Sequence, residues 1–391
     1  MTSQTDQLKL TLRRQLLEKL PEGLELNDDD LYQRIDALML LHPELDLRTR
    51  LYLRSAIFNS FRRLDLLSEL LDDPSITEIC INSSEEIFVE RNGRMSRWNR
   101  QFETSDQLEE VIQTIVSQVN RTVNTSTPIV DARLPDGSRV HVVLPPVALK
   151  GATMTIRKFP EPITMEKLIA WGSITPEAAE FLRQLIRAGY NIFISGATNS
   201  GKTTFLNALS AYIPDSERVI TIEDSAELKL QHIPNLVSLE TRNKNSEGQG
   251  AISIQDLIRA SLRMSPNRII VGEIRGKEAL DMLNAMNTGH DGSLSTGHAN
   301  SGKDMLKRME TMVLQGADLP LPAIRSMIAS AIEIIIHLGR TRDHQRRVME
   351  ISEVTGLENN EIKTKALFSF DGTTLIKTGE LQNQQKLKAR L

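Results

Sequence analysis

The stretch of this 391-residue sequence that most clearly carries chemistry is Gly196-Ala197-Thr198-Asn199-Ser200-Gly201-Lys202-Thr203, a complete G-x-x-x-x-G-K-[ST] pattern. Its glycines let successive backbone N–H groups turn inward around phosphate oxygens. Lys202 brings a mobile positive charge to the outer phosphates, and Thr203 offers a hydroxyl to magnesium. With Thr204, residues 196–204 make up the candidate nucleotide-binding segment. The motif follows the apolar run 191–195 and opens an amphipathic helical pattern, which is the strand–loop–helix setting that the mechanism requires. A nucleoside triphosphate is the ligand that this chemistry takes.

Two acidic strand ends follow. Apolar residues 220–222 run into Glu223, Asp224 and Glu227, and residues 268–272 run into Glu273. Carboxylates at the C-terminal ends of strands beside a phosphate loop can hold a magnesium ion directly or through water, and one of them can polarise an attacking water. The candidate magnesium set is Thr203, Glu223, Asp224 and Glu273. His290 and His298 stand in the Gly/Ser/Thr-rich run 288–300, which supplies too few further ligands for zinc. A hydrogen-bonding role near the γ phosphate is expected for them.

Positioning these residues takes strands that alternate with helical crossovers. After Pro162 the pattern reads helix 176–188, strand 191–195, helix 202–212, strand 218–222, strand 236–239, helix 254–264, strand 268–271, helix 277–286 and a short strand near 293–296. That order predicts a largely parallel α/β sheet with helices on both faces and sites at strand C-termini. From Leu338 onward the residues turn basic and strand-like, at 346–354 and 362–370, and the polar end from Gln382 is expected to fray. Upstream, leucines at helical spacing from Leu8 to Leu71 predict about three amphipathic helices. An α+β pattern follows, with strands 76–82, 86–91, 138–144 and 152–158, a hairpin turn at Asn92-Gly93 and a helix at 105–120. The expected organisation is a helical bundle (1–71), an α+β domain (72–158), a proline-containing linker (159–164), an ATPase domain (165–372) and a polar tail (373–391).

Composition narrows the function classes. A net charge of −4 and an aromatic content of 4% argue against a nucleic-acid surface and against base-stacking platforms, so no nucleic-acid partner is expected. The single cysteine, Cys80, lies in the apolar run Ile79-Cys80-Ile81 and reads as buried filler. Residues 1–9 lack the pattern of a secretory leader, and the best candidate span, 324–338, is short and interrupted by Arg325 and Glu333. The expectation is a soluble, cytosolic protein with no integral membrane segment.

The ordered set of the phosphate loop, Glu223-Asp224-Ser225-Ala226-Glu227, Val271-Gly272-Glu273-Ile274-Arg275 and the His290 to His298 run resembles the secretion and pilus-assembly ATPases of the type II/type IV superfamily. Thr241-Arg242-Asn243-Lys244, Ser261-Leu262-Arg263-Met264-Ser265-Pro266 and Asn287-Thr288-Gly289-His290-Asp291-Gly292 most resemble its Tad/Flp, CpaF-like branch, and the resemblance covers about Leu71 to Phe370 and includes the upstream Asp131 to Arg139 run. The resemblance implies a RecA-like motor domain that uses ATP and magnesium, preceded by an N-terminal domain that clamps over the nucleotide. It also implies a ring-shaped homohexamer, peripheral at the bacterial inner membrane and docked on platform proteins there. Motif matching carries over Lys202, Glu223, Glu273, His290 and His298 as catalytic, with Arg133, Arg139, Arg157 and Arg242 as candidate phosphate-reaching arginines. Glu273 stands where many phosphate-loop enzymes carry aspartate. The paired Cys-x-x-Cys insertion of the type II branch is absent. The implied function is ATP hydrolysis coupled to pilus assembly or pilin secretion. The alternatives are a type IV secretion ATPase that moves protein or nucleoprotein, a RecA-like DNA motor and a nucleotide sensor that does not hydrolyse.

Overall fold

A computed structural model describes residues 3–18, 27–62, 64–91, 93–119, 121–158, 162–230, 232–242, 249–341, 343 and 345–390. The chain divides into two compact units, Met1–Pro160 and Glu161–Leu391.

The first unit opens with α1 (Ser3–Glu18), α2 (Asp28–Met39), α3 (Leu47–Arg62) and α4 (Leu67–Asp72). The leucine stripe seen in sequence becomes a small core of Leu12, Leu16, Leu31, Ile35, Leu53 and Ile57, as helical spacing requires. Asn27 caps α2 by accepting from the Asp30 N–H at 2.8 Å. Then come β1 (Ile76–Ser83), β2 (Glu86–Arg91), β3 (Arg94–Arg97), α5 (Ser105–Gln118), β4 (Ile129–Arg133), β5 (Arg139–Val143) and β6 (Thr153–Arg157). The strands form one antiparallel sheet in the order β3-β2-β1-β6-β5-β4. Its inner face packs Ile79, Ile81, Val140 and Ile156 against Leu108, Ile112 and Ile115 of α5. A buried ion pair between Lys9 and Asp65, at 2.7 Å, ties α1 to the segment before α4, and Asp65 also accepts from the Gln107 amide of α5.

Strand alternation corrects the reading of Cys80. Ile79 and Ile81 are buried, and Cys80 between them points to the opposite face and is half-buried. Partial burial still pushes its thiol pKa up, helped by Glu78 and Glu90, so the neutral thiol is favoured.

The second unit contains α6 (Met165–Ala170), α7 (Pro176–Ala188), β7 (Ile192–Gly196), α8 (Lys202–Ser210), β8 (Val219–Glu223), β9 (Leu236–Glu240), α9 (Ile254–Ser261), β10 (Arg268–Val271), α10 (Ala279–Asn287) and β11 (Leu294–His298). It continues with α11 (Gly302–Gly316), α12 (Leu321–Ala331), β12 (Ile334–Arg340), β13 (Arg346–Glu358), β14 (Glu361–Phe370), β15 (Leu375–Lys377) and α13 (Gln385–Arg390). The sheet order is β15-β14-β13-β12-β7-β11-β10-β8-β9. From β12 to β9 all neighbours are parallel, and β13, β14 and β15 are added antiparallel. Each face has its own core, because alternate side chains of a fully buried strand go opposite ways. Ile192 and Ile194 of β7 pack with Leu182, Leu185 and Leu206, whereas Phe193 packs with Met282, Met305 and Ile324.

The run 324–338 is no continuous apolar segment: it is the end of α12, a break at Ile332 and Glu333, and the central strand β12. Among the described residues no helix is long and apolar enough to cross a membrane. Residues 381–390 are tied down where their polarity predicts fraying. Leu381 is buried, Glu353 accepts from the N–H groups of Gln382 and Asn383 at 2.8 Å each, and Lys386 meets Glu333 at 2.6 Å and Asp291 at 2.8 Å. These polar contacts anchor the segment together with Leu381 and Leu387, which pack on the core of the second unit.

Candidate functional site

The phosphate loop joins the C-terminal end of β7 to the N-terminus of α8, the helix end that attracts anions. Gly201 takes a left-handed φ of 94° and Asn199 one of 60°, so the loop turns sharply before α8 begins. Ala197, Thr198 and Asn199 are exposed at the apex, and Thr203 and Thr204 stand in the first turn of α8. Lys202 is buried, and its ammonium donates to the carbonyls of Gly196 at 3.2 Å and Ala197 at 3.0 Å. That burial lowers its pKa, and the Glu273 carboxylate works against the shift. The Ser200 hydroxyl is buried without a hydrogen-bond partner. An orphaned buried hydroxyl inside such a loop is what an oxygen-rich ligand would satisfy.

Lys202 continues into a chain of polar groups. Its Nζ lies 3.1 Å from Nδ1 of His298, and Nε2 of His298 lies 2.9 Å from Glu273. Arg275 meets the same carboxylate at 2.9 Å, and its other side approaches Asp224 at 3.5 Å. Strand register explains the meeting: His298 of β11 pairs with Gly196 of β7, and Glu273 lies just past the end of β10, the strand next to β11. Partial burial holds the His298 pKa below its ordinary value, against the pull of Glu273.

Glu223 sits deeper. At the end of β8 it is 4% exposed, and its carboxylate accepts from the N–H groups of Glu227 at 3.0 Å and Leu228 at 3.2 Å. Gly272 makes this possible, because a Cβ there would stand 3.0 Å from Cγ of Glu223. Burial pushes the Glu223 carboxyl up to about 7, and the two N–H donors only partly offset it.

His290 precedes β11 and so belongs to the N-terminal end of the strands, away from this loop, where its Nδ1 lies 3.2 Å from the carbonyl of Ala285. It does not join His298 at the phosphate loop, because a strand separates the two. Asp224 is exposed and engaged by Arg275. Arg242 donates to the Gly250 carbonyl at 2.6 Å and lines a cavity of about 470 Å³ together with Asp224 and Arg275. Asn243 and Lys244 lie outside the described residues. Arg133, Arg139 and Arg157 belong to the first unit, where they are direct cross-strand neighbours on β4, β5 and β6 and so form one row on a sheet face. Sequence reading gave Arg275 no role at the site, although it stands two residues after Glu273.

Strand, glycine-rich loop and lysine-led helix at the C-terminal edge of a parallel sheet, with acidic neighbouring strand ends, define an α/β phosphate-loop protein with a RecA-like motor domain. A family model described as "Type II/IV secretion system protein" matches residues 62–381, and the chain belongs to that family. A putative conjugal transfer protein of Mycobacterium tuberculosis is 34% identical over 294 residues, which cover 73% of this chain and 83% of that protein. The type IV secretion system protein PtlH of Bordetella pertussis is 34% identical over 325 residues, 75% of this chain and 95% of that one. The X-ray structure of the Legionella pneumophila ATPase DotB shares the fold, with a TM-score of 0.52 and 23% identity over 72% of this chain and 78% of that chain.

Proposed function

We propose that this chain is a magnesium-dependent ATPase that drives assembly of a Tad/Flp-type pilus or secretion of its pilin subunits. The observation that carries the catalytic part is the Lys202–His298–Glu273 chain beside the phosphate loop. Lys202 neutralises the outer phosphates, and the backbone N–H groups of the loop hold the rest. Thr203, with Glu273 directly or through water, supplies the hard oxygen ligands that suit magnesium, and the orphaned Ser200 hydroxyl fits an oxygen-rich occupant. Bound there, magnesium would neutralise developing phosphate charge. Glu273 is the better placed of the two glutamates to orient the attacking water, since one imidazole joins it to Lys202. The Glu223 carboxylate is occupied by backbone N–H groups and braces the 224–228 turn.

The row of Arg133, Arg139 and Arg157 supports a ring, most simply a hexamer, in which the first unit of this chain or of a neighbour closes over the triphosphate and hydrolysis releases it. Peripheral attachment to inner-membrane platform proteins completes this reading. Residues 1–61, which hold α1, α2 and most of α3, lie outside the family match. The likeness to PtlH favours a second reading, a type IV secretion ATPase that transports protein or nucleoprotein.

Cells that lack the gene decide between the readings. The pilus reading expects loss of surface fibres built from a small pilin, restored by the wild-type chain. Intact fibres with loss of macromolecule export would replace it by the type IV reading. Purified protein that releases no phosphate from ATP and magnesium would contradict both.

A further inference from the structure

The β12–β13 hairpin carries two guanidinium groups to the phosphate loop. Arg340 and Arg346 are direct cross-strand partners, so their side chains leave the same face of the hairpin. Like charges placed opposite one another destabilise a pair of strands, so the arrangement calls for something that holds both. The holder is the carbonyl oxygen of Asn199. Arg340 donates to it through Nε at 3.3 Å and Nη2 at 2.8 Å, and Arg346 through Nε at 3.1 Å. The contact continues two residues along the loop, where Cδ of Arg346 lies 3.4 Å from the position a Gly201 Cβ would take.

Sheet order makes this a bracket. β7 lies between β12 and β11, so the loop after β7 has the arginine pair on its β12 side and the Lys202–His298–Glu273 chain on its β11 side. A loop that turns N–H groups inward around an anion must turn carbonyls outward, and an outward carbonyl needs a donor. In this conformation the loop partly closes on itself: the Ser200 N–H donates to the Ala197 carbonyl at 3.2 Å, and the Lys202 ammonium faces the carbonyls of Gly196 and Ala197. Cationic donors fixed on the outer carbonyl of the apex oppose further collapse. They also place two positive charges behind the loop, where they act on any anion held in front of it.

We infer that Arg340 and Arg346 are a positioning pair for the nucleotide: they hold the apex of the phosphate loop open through the Asn199 carbonyl and raise its affinity for a triphosphate without taking part in bond cleavage. This rests on the reading of residues 196–203 as a triphosphate site. It adds a same-chain source of positive charge, distinct from the arginine row of the first unit.

The test uses full-length protein with the paired changes Arg340→Gln/Arg346→Gln and Arg340→Lys/Arg346→Lys, measuring KM and kcat for ATP together with thermal stability. The glutamine pair should raise KM roughly tenfold while kcat falls by less than about threefold, the pattern of lost ground-state binding. The lysine pair keeps charge but loses the planar fork, and should recover part of the change in KM. Unaltered KM in a folded glutamine pair would overturn the inference. So would a lowered melting temperature with normal KM, because the arginines would then only brace the hairpin. If the glutamine pair does not fold, the lysine pair decides alone, and a KM equal to the wild type's overturns the inference. Failure of the underlying reading looks different, since the wild-type chain itself would then neither bind nor hydrolyse ATP.

Discussion

The two ends of the same parallel strands are built on opposite rules. At the N-terminal end polar groups are saturated: the buried Asn191 side chain accepts from the N–H groups of Gly292 and Ser293 at 2.9 and 3.1 Å and donates to the carbonyls of Ala331 and Met286. Its backbone N–H donates to Glu333 at 2.9 Å, and nearby the fully buried Arg268 pairs with Glu217 at 2.5 Å. At the C-terminal end a lysine is buried against carbonyls, a serine hydroxyl has no partner and a glutamate is pushed up to about 7. The first end holds β7, β11 and β12 in register. The second keeps the buried Ser200 hydroxyl without a partner, which a ligand can complete. Stability and function are thus separated along a strand only a few residues long, and substitutions at the two ends should differ in kind.

After loss of Lys202 itself, the largest effect on the functional side is expected from Glu273→Gln, which keeps shape and removes charge beside His298. Turnover should fall by roughly two to four orders of magnitude with nucleotide affinity nearly kept. Steady-state phosphate release and a fluorescent-nucleotide titration check it. If affinity disappears together with turnover, Glu273 is a ground-state metal holder and not the water-orienting group.

Asn191→Ala should act the other way. It leaves buried N–H and carbonyl groups without partners and is expected to cost about 3 kcal/mol of stability, read from urea unfolding, with KM for ATP essentially unchanged. A large change in KM would break the separation between the two ends.

A subtler effect concerns pH. The folded-state pKa of Glu223, about 7, lies above its ordinary 4.5, so the folded protein binds a proton that the unfolded chain releases. The stability this contributes, about 3 kcal/mol, is fully present below pH 4.5 and is lost as pH rises through about 7. Glu223→Gln, a permanently neutral isostere, should flatten that part of the stability profile between pH 5 and pH 8. An unchanged slope would mean that the carboxylate is ionised in the folded state.

Legibility in the sequence followed locality. The phosphate loop was readable because its chemistry is carried by consecutive residues, and the two acidic strand ends because an apolar run ends in a carboxylate. The difference between His290 and His298 was not readable. Both lie in one polar run, and only the course of β11 carries them to opposite ends of the sheet. The Arg340 and Arg346 bracket depends on hairpin register and on β12 being the neighbour of β7, facts of pairing that no spacing displays. The run 324–338 hid the change from α12 to β12 because short apolar runs do not distinguish helix from strand by period. By contrast, the start of α11 is marked locally: Ser301 accepts from the Asp304 N–H at 3.0 Å, a serine cap visible as Ser301-Gly302-Lys303-Asp304.

The most direct test of the central claim is Lys202→Ala, read by phosphate release from ATP and magnesium and by thermal unfolding of the same preparation. Lys202 is buried against loop carbonyls and His298, where the account gives its charge a catalytic role and little part in packing. The account therefore predicts turnover reduced to background with the melting temperature within a few degrees of the wild type. Near-normal turnover would contradict the phosphate-loop assignment, and with it the division of the strands into a stable end and a reactive one.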